Sequence, residues 1–174
     1  MRTLHNIDLK NNESGFTLRW QDRLILSHAA DAPCLWIGAG EADIEMFRGN
    51  FSIKDKLNEK IALTDATVTQ QNAGWAIRFT RGDAVSATLL VGVDAEGRLE
   101  LKLKNDAASH NRIWLRLAAQ PDDHIYGCGE QFSYFDLRGK PFPLWTSEQG
   151  VGRNKQTYIT WQADCKENAG GDYY

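Results

Sequence analysis

The sequence is short of several things at once. Its 174 residues hold three cysteines, Cys34, Cys128 and Cys165. None forms a C-x-x-C pair, and an odd number cannot close into a complete disulfide set, so a reducing compartment is expected. An excess of basic charge is also missing. The formal net charge of -3 leaves nothing to balance a phosphate backbone, and nucleic acid is not an expected partner. No stretch approaches the ~18 consecutive apolar residues that mark a membrane span. The opening residues, Met1 to Asp8, place charges and amides where a signal peptide needs an apolar centre. A cytoplasmic, membrane-free protein is the expectation. With 42% hydrophobic and 25% charged residues, the composition is that of a globular chain rather than of a disordered or coiled-coil one. At this length one domain is the default.

The usual constellations of catalysis and cofactor binding are equally scarce. His5, His28, His110 and His124 are scattered, with no H-x-x-x-H spacing and no neighbouring cysteine, so no metal site is expected. The glycines of "GVGRNKQT" lack the G-K-[ST] ending and the helical continuation of a phosphate-binding loop. No cofactor is expected. Cys128 lies between Gly127 and Gly129 with His124 close in sequence, but proximity in sequence does not aim an imidazole at a thiol. It is read as a small residue tolerated in a turn. Glycosyl transfer wants two carboxylates at a defined separation. Asp122 and Asp123 are adjacent and read as a solvated turn, and Glu130 is a single carboxylate. No catalytic residue is assigned.

What the sequence has in plenty is alternation with a period of two, the mark of half-buried strands. Phe16, Leu18 and Trp20 alternate with Thr17 and Arg19, and Trp75, Ile77 and Phe79 with Ala76 and Arg78. Val85, Ala87, Leu89, Val91 and Val93 share one face. A turn over Asp94 to Gly97 returns the chain through Leu99, Leu101 and Leu103, which predicts a hairpin. Strands are also expected at Arg23 to Ser27 and Cys34 to Ile37, and through Ile113, Leu115 and Leu117. Arg112, Trp114 and Arg116 take the second face of that last strand, where Trp114 reads either as packing or as a stacking platform. From Asp43 to Leu63, Ile53, Leu57 and Ile61 recur every four residues, compatible with a short helix or an insertion loop. Many short strands with frequent turns predict an all-β fold, an antiparallel β-sandwich with at most short helical insertions.

One run remains, "DHIYGCGEQFSYFDLRGKPFPLWTSEQGVGRNK", Asp123 to Lys155. It is too interrupted for a helix and too aromatic for a solvated linker. Tyr126-Gly127-x-Gly129-Glu130, then Phe132 and Asp136-Leu137-Arg138-Gly139-Lys140, resembles the signature near the end of the N-terminal sandwich of glycoside hydrolase family 31. The longer run is most similar to the sulfoquinovosidase branch of that family, and the likeness extends upstream through "PCLWIG", "MFRGNFSIKDKL", "EKIALTDA" and "NRIWLRLAAQP".

The resemblance implies a galactose-mutarotase-like β-sandwich over residues 1–174, preceding a (β/α)8 barrel that supplies two catalytic aspartates for retaining hydrolysis of an α-glycoside. Such a barrel typically needs about 250 residues, so it is expected to be absent from this chain. The implied partners are a carbohydrate substrate, an α-sulfoquinovoside or related α-glucoside, and the catalytic barrel domain. Residues 126–155 would form a loop facing the active site. Glu130 and Gln131, which can hydrogen-bond sugar hydroxyls, become the substrate-binding candidates. Arg138, Lys140 and Arg153 are expected in structural or interdomain contacts, and Phe132, Phe135 and Trp145 in packing of the loop. Two other roles stay open: an autonomous carbohydrate-binding module, suggested by six tryptophans on a sandwich, and a purely structural support for a barrel.

Overall fold

The computed structural model describes residues 7–12, 15–47, 50–82, 85–106, 108–127 and 135–140, without the side chains of 46–47 and 50–53. Ten strands follow one another: β1 (Ile7–Asn12), β2 (Gly15–Trp20), β3 (Arg23–Ala29), β4 (Leu35–Phe47), β5 (Asn50–Ala62), β6 (Asp65–Gln71), β7 (Gly74–Arg81), β8 (Val85–Val93), β9 (Leu99–Asn105) and β10 (Arg112–Leu115). Among the described residues there is no helix. None therefore offers a helix long and apolar enough to cross a membrane.

The strands make three sheets, in the orders β1-β2-β3, β10-β4-β5 and β6-β7-β8-β9. The chain divides into two compact units. The first comprises residues 1–41 and 56–119, the second 42–55 and 120–174. The first unit holds the core. Phe16, Leu18 and Leu26 from the first sheet, Leu35 and Ile37 from the second, and Ile77, Phe79, Ala87 and Leu89 from the third are all buried. These are the residues that period-two alternation puts on one face of each strand, and their burial holds the sheets together as an antiparallel β-sandwich. Phe16 and Phe79 meet edge to face with ring centroids 5.8 Å apart, joining β2 to β7.

The hairpin turns show how the sequence sets register. β2 and β3 are joined by Gln21 and Asp22, both with positive φ (48° and 64°), the geometry that matches the twist of paired strands. Arg19 Nη1 donates to the Asp22 carbonyl at 2.8 Å and ties the turn back to its strand. Between β8 and β9, Asp94 Oδ1 accepts the N–H groups of Glu96 (3.0 Å) and Arg98 (2.9 Å), and Oδ2 meets Arg98 Nε at 2.7 Å. The turn expected over Asp94 to Gly97 is thus closed by its first residue.

Two expectations are corrected. The segment Asp43 to Leu63 is neither helix nor insertion loop but most of the paired strands β4 and β5. A spacing of four is even, so Leu57 and Ile61 also share one face of a strand. Leu57 is 44% exposed, so the spacing did not mark a buried face. The last strand is also shorter than expected, ending at Leu115, with Leu117 exposed beyond it. There the chain leaves β4 and bonds elsewhere, Ala118 N–H donating to the Ile25 carbonyl at 2.8 Å.

Candidate functional site

Glu130 and Gln131 lie outside the described residues, as do Cys128, Phe132, Trp145 and Arg153. Both flanks of segment 128–134 are described, within the second unit. The first begins with a turn at Gln120-Pro121-Asp122-Asp123. Proline sets φ at the second position, the Asp123 N–H returns to the Gln120 carbonyl at 3.2 Å, and Asp123 Oδ2 accepts the Gln120 N–H at 2.8 Å.

The two flanks are clipped together by Asp136. Its Oδ1 accepts the N–H of Ile125 at 3.1 Å and of Arg138 at 3.0 Å, and its Oδ2 lies 2.7 Å from His124 Nδ1. Leu137, which is buried, adds a backbone bond from its N–H to the Ile125 carbonyl at 2.8 Å. The Arg138 guanidinium donates through Nη1 to the carbonyls of Gln120 and Asp123. These donors favour the ionised carboxyl, the His124 ring foremost and then the N–H groups of Arg138 and Ile125, and hold Asp136 down at about 2. Gly127, at φ +107°, leaves the clip in a conformation that a side chain would strain. Its neighbour Tyr126 stacks on His124 at 6.0 Å and meets Phe135 at 5.1 Å. Phe135 is 87% exposed.

The expectation that Arg138 makes structural contacts agrees with these bonds. Asp136 was quoted within a motif but given no role by sequence reasoning. The signal was available: an aspartate followed two residues later by an N–H it can accept, then by glycine, is the pattern of an Asx turn.

His5 lies outside the described residues, and the other two histidines each have their own setting. His28 is buried between Phe16 (stacked, 5.4 Å) and Phe79 (edge-on, 5.2 Å). Its Nε2 faces the Thr64 carbonyl at 3.1 Å, which can only accept, so Nε2 carries the proton and Nδ1 accepts the Cys34 N–H at 3.4 Å. Burial depresses the His28 pKa and pushes the adjacent Cys34 thiol up to about 11. This is a neutral, structural pair, because a thiol so raised supplies almost no thiolate near pH 7. His110 Nδ1 meets Ser109 Oγ at 3.0 Å, and its Nε2 lies 3.3 Å from Glu59 Oε2 without hydrogen-bond geometry. Among the described residues no group of three His, Cys, Asp or Glu is placed to hold a metal ion.

Trp114, for which packing and stacking both stood open, faces Trp36 across the β10-β4 pair. Lys60 Nζ sits 4.5 Å from the Trp114 ring centroid and 5.5 Å from that of Trp36, and the Arg116 guanidinium carbon is 5.5 Å from Trp36. An added Cβ on Gly38 would come within 2.9 Å of the Trp114 ring. The indole lies on a glycine and carries a lysine, which is a packed arrangement.

Packed antiparallel sheets around one apolar core define an all-β domain of the sandwich class. Residues 9–161 match the glycosyl hydrolase 31 N-terminal galactose mutarotase-like domain, and the chain belongs to that family. Among its relatives, the sulfoquinovosidase of Escherichia coli K12 is 76% identical over 165 residues, covering 95% of this chain and 24% of the relative. The sulfoquinovosidase of Agrobacterium fabrum is 43% identical over 172 residues with the same coverage. A solved GH31 family sulfoquinovosidase from E. rectale, in complex with the aza-sugar inhibitor IFGSQ, matches 96% of this chain and 24% of its own, at TM-score 0.71 and 39% identity. The chain thus spans about a quarter of the length of the relatives it matches.

Proposed function

We propose that this chain is the amino-terminal, carbohydrate-associated domain of a retaining α-glycosidase that hydrolyses α-sulfoquinovosides. The 76% identity to the E. coli sulfoquinovosidase is the observation that carries this reading, since it runs through nearly the whole chain. The domain does not catalyse by itself. The two convergent acids that retaining hydrolysis demands come from a partner barrel, and the loop of residues 126–155 borders the sugar. In that loop Glu130 and Gln131 bond sugar hydroxyls, the carboxylate as acceptor and the amide as donor and acceptor. The Asp136 clip supports the reading because it gathers both flanks of the segment carrying those two residues.

A chimera tests it. This chain replaces the matching 165-residue segment of the E. coli enzyme, and hydrolysis of a chromogenic α-sulfoquinovoside is followed. Turnover near that of the parent is expected. A soluble, folded chimera that leaves the α-sulfoquinovoside intact would sink the proposal.

A further inference from the structure

The two faces of sheet β10-β4-β5 differ. Leu35 and Ile37 turn one of them into the core, where both are fully buried. On the other, Trp36 pairs with Trp114 across β4 and β10, and both indoles stay partly exposed. Arg116 joins that face two residues after Trp114, its N–H donating to the Cys34 carbonyl at 2.8 Å and so carrying the pairing past the strand. Lys60 comes from β5 to lie over both rings, 4.5 Å from the Trp114 centroid and 5.5 Å from that of Trp36, and the Arg116 guanidinium carbon stands 5.5 Å from Trp36. Other surface cations take carboxylates from residues near in sequence: Lys10 from Asp8 at 3.4 Å, Arg98 from Asp94 at 2.7 Å, Lys102 from Glu100 at 2.8 Å. Lys60 and Arg116 take none among the described residues. The carboxylate next to Lys60 in sequence, Glu59, stands 3.3 Å from His110 instead.

Two indoles and a guanidinium on one face are the composition of a protein–protein contact, where Trp and Arg are enriched and aromatic anchors sit at the centre. Seating them has a cost that the domain's own core does not require. Gly38, where a Cβ would come within 2.9 Å of the Trp114 ring, is a glycine inside a strand, and glycine there weakens the strand. We propose that this face, Trp36 and Trp114 with Lys60 and Arg116, docks an acidic protein surface belonging to the remainder of the full-length enzyme. Charge sets the chemistry of the partner, since two cations without carboxylates of their own are satisfied by carboxylates across the contact. Length sets its source: this chain covers 24% of each of the two sulfoquinovosidase relatives, so most of their polypeptide lies outside it. The inference rests on the reading of the chain as one domain of a longer glycosidase.

Oxidation of individual tryptophans by hydroxyl radicals, read by mass spectrometry, tests it in the chimeric enzyme and in the purified 174-residue chain. In the chimera, Trp36 and Trp114 are expected to oxidise at least about fivefold more slowly than in the chain alone, as water leaves the centre of a contact. Trp75, buried in the core, is the control for folding and should oxidise slowly in both. Lys60→Glu/Arg116→Glu should bring oxidation of Trp36 and Trp114 in the chimera back to within about twofold of that in the chain, because like charges then meet. Equal oxidation of these two tryptophans in chimera and chain overturns the inference, and so does protection that survives the charge reversal. Protection that appears in the isolated chain as its concentration rises assigns the face to a second copy and overturns it likewise. Were Trp75 to oxidise fast in the chain alone, the parental and charge-reversed chimeras supply the comparison between themselves. Should the charge-reversed variant fail to fold, Lys60→Gln/Arg116→Gln decides: oxidation is expected to rise at least about twofold over the parental chimera, and an unchanged rate overturns the inference. Hydrolysis of the α-sulfoquinovoside by the same chimera separates the two readings. Activity with open tryptophans removes the inference alone, and a folded but inactive chimera removes the function on which it rests.

Discussion

His28 is the polar side chain that the sandwich core takes in among the described residues, and it fixes a pH dependence. Burial lowers its pKa in the folded state, so as pH falls through the ordinary histidine value of about 6.5 the unfolded chain takes up a proton that the folded chain refuses. Stability is full above that value and declines below it, with a slope of at most about 1.4 kcal/mol per pH unit for this one group. Urea titrations at pH 7.5 and 5.5 are expected to show the decline, and His28→Gln to flatten it. An unchanged slope in that variant would contradict the assignment. Asp136 acts in a separate window. Its carboxyl is held at about 2, so its contribution is present above the ordinary aspartate value, near 4, and is lost as pH falls through about 2. In the core itself, Phe79 touches both Phe16 and His28. Phe79→Ala should cost about 3–5 kcal/mol by chemical denaturation. A loss below about 1 kcal/mol would mean the two sheets are not packed through it.

At the scale of elements, β2, β7, β8 and β9 were legible because apolar residues recur at every second position over at least five positions, and the β8–β9 turn because Asp94 and Gly97 punctuate it. β1 and β6 carry few large side chains. "IDLKNN" and "DATVTQQ" give pattern residues only at Ile7 and Leu9 and at Ala66 and Val68, and pairing with β2 and β7 makes them strands. β5 was obscured because its spacing of four fits two geometries, and only a neighbouring strand decides between them. Gly38 shows the same dependence on a neighbour. Nothing local marks it, yet a Cβ there would meet the Glu59 carbonyl at 2.3 Å and the Trp114 ring at 2.9 Å. Gly38→Ala should therefore destabilise by about 1–3 kcal/mol, the usual range for overpacking. Gly92→Ala, whose nearest neighbour is the Ala73 carbonyl at 3.3 Å, should cost clearly less. Equal losses in the two variants would mean that the indole does not rest on Gly38. The clip was legible only as a motif, since Asp136, Ile125 and His124 come together through backbone closure that no periodicity encodes.

For the whole molecule, family membership covers residues 9–161, and the relatives extend about four times the length of this chain. Under the function proposed above, the sandwich would supply a scaffold and one wall of a sugar site, and the acids of the reaction would stand in a partner barrel. A wall alone offers few contacts, so sugar binding by the purified chain should be weaker than about 1 mM, or roughly -4 kcal/mol, in calorimetric titration. Binding in the micromolar range would instead make the chain an autonomous carbohydrate-binding module. The most direct measurement is incubation of the purified 174-residue chain with a chromogenic α-sulfoquinovoside, beside the chimeric enzyme as positive control. No release of chromophore above background is predicted for the chain alone, with ready release by the chimera. Sustained turnover by the isolated chain would contradict the account, because the reacting groups would then have to lie within it.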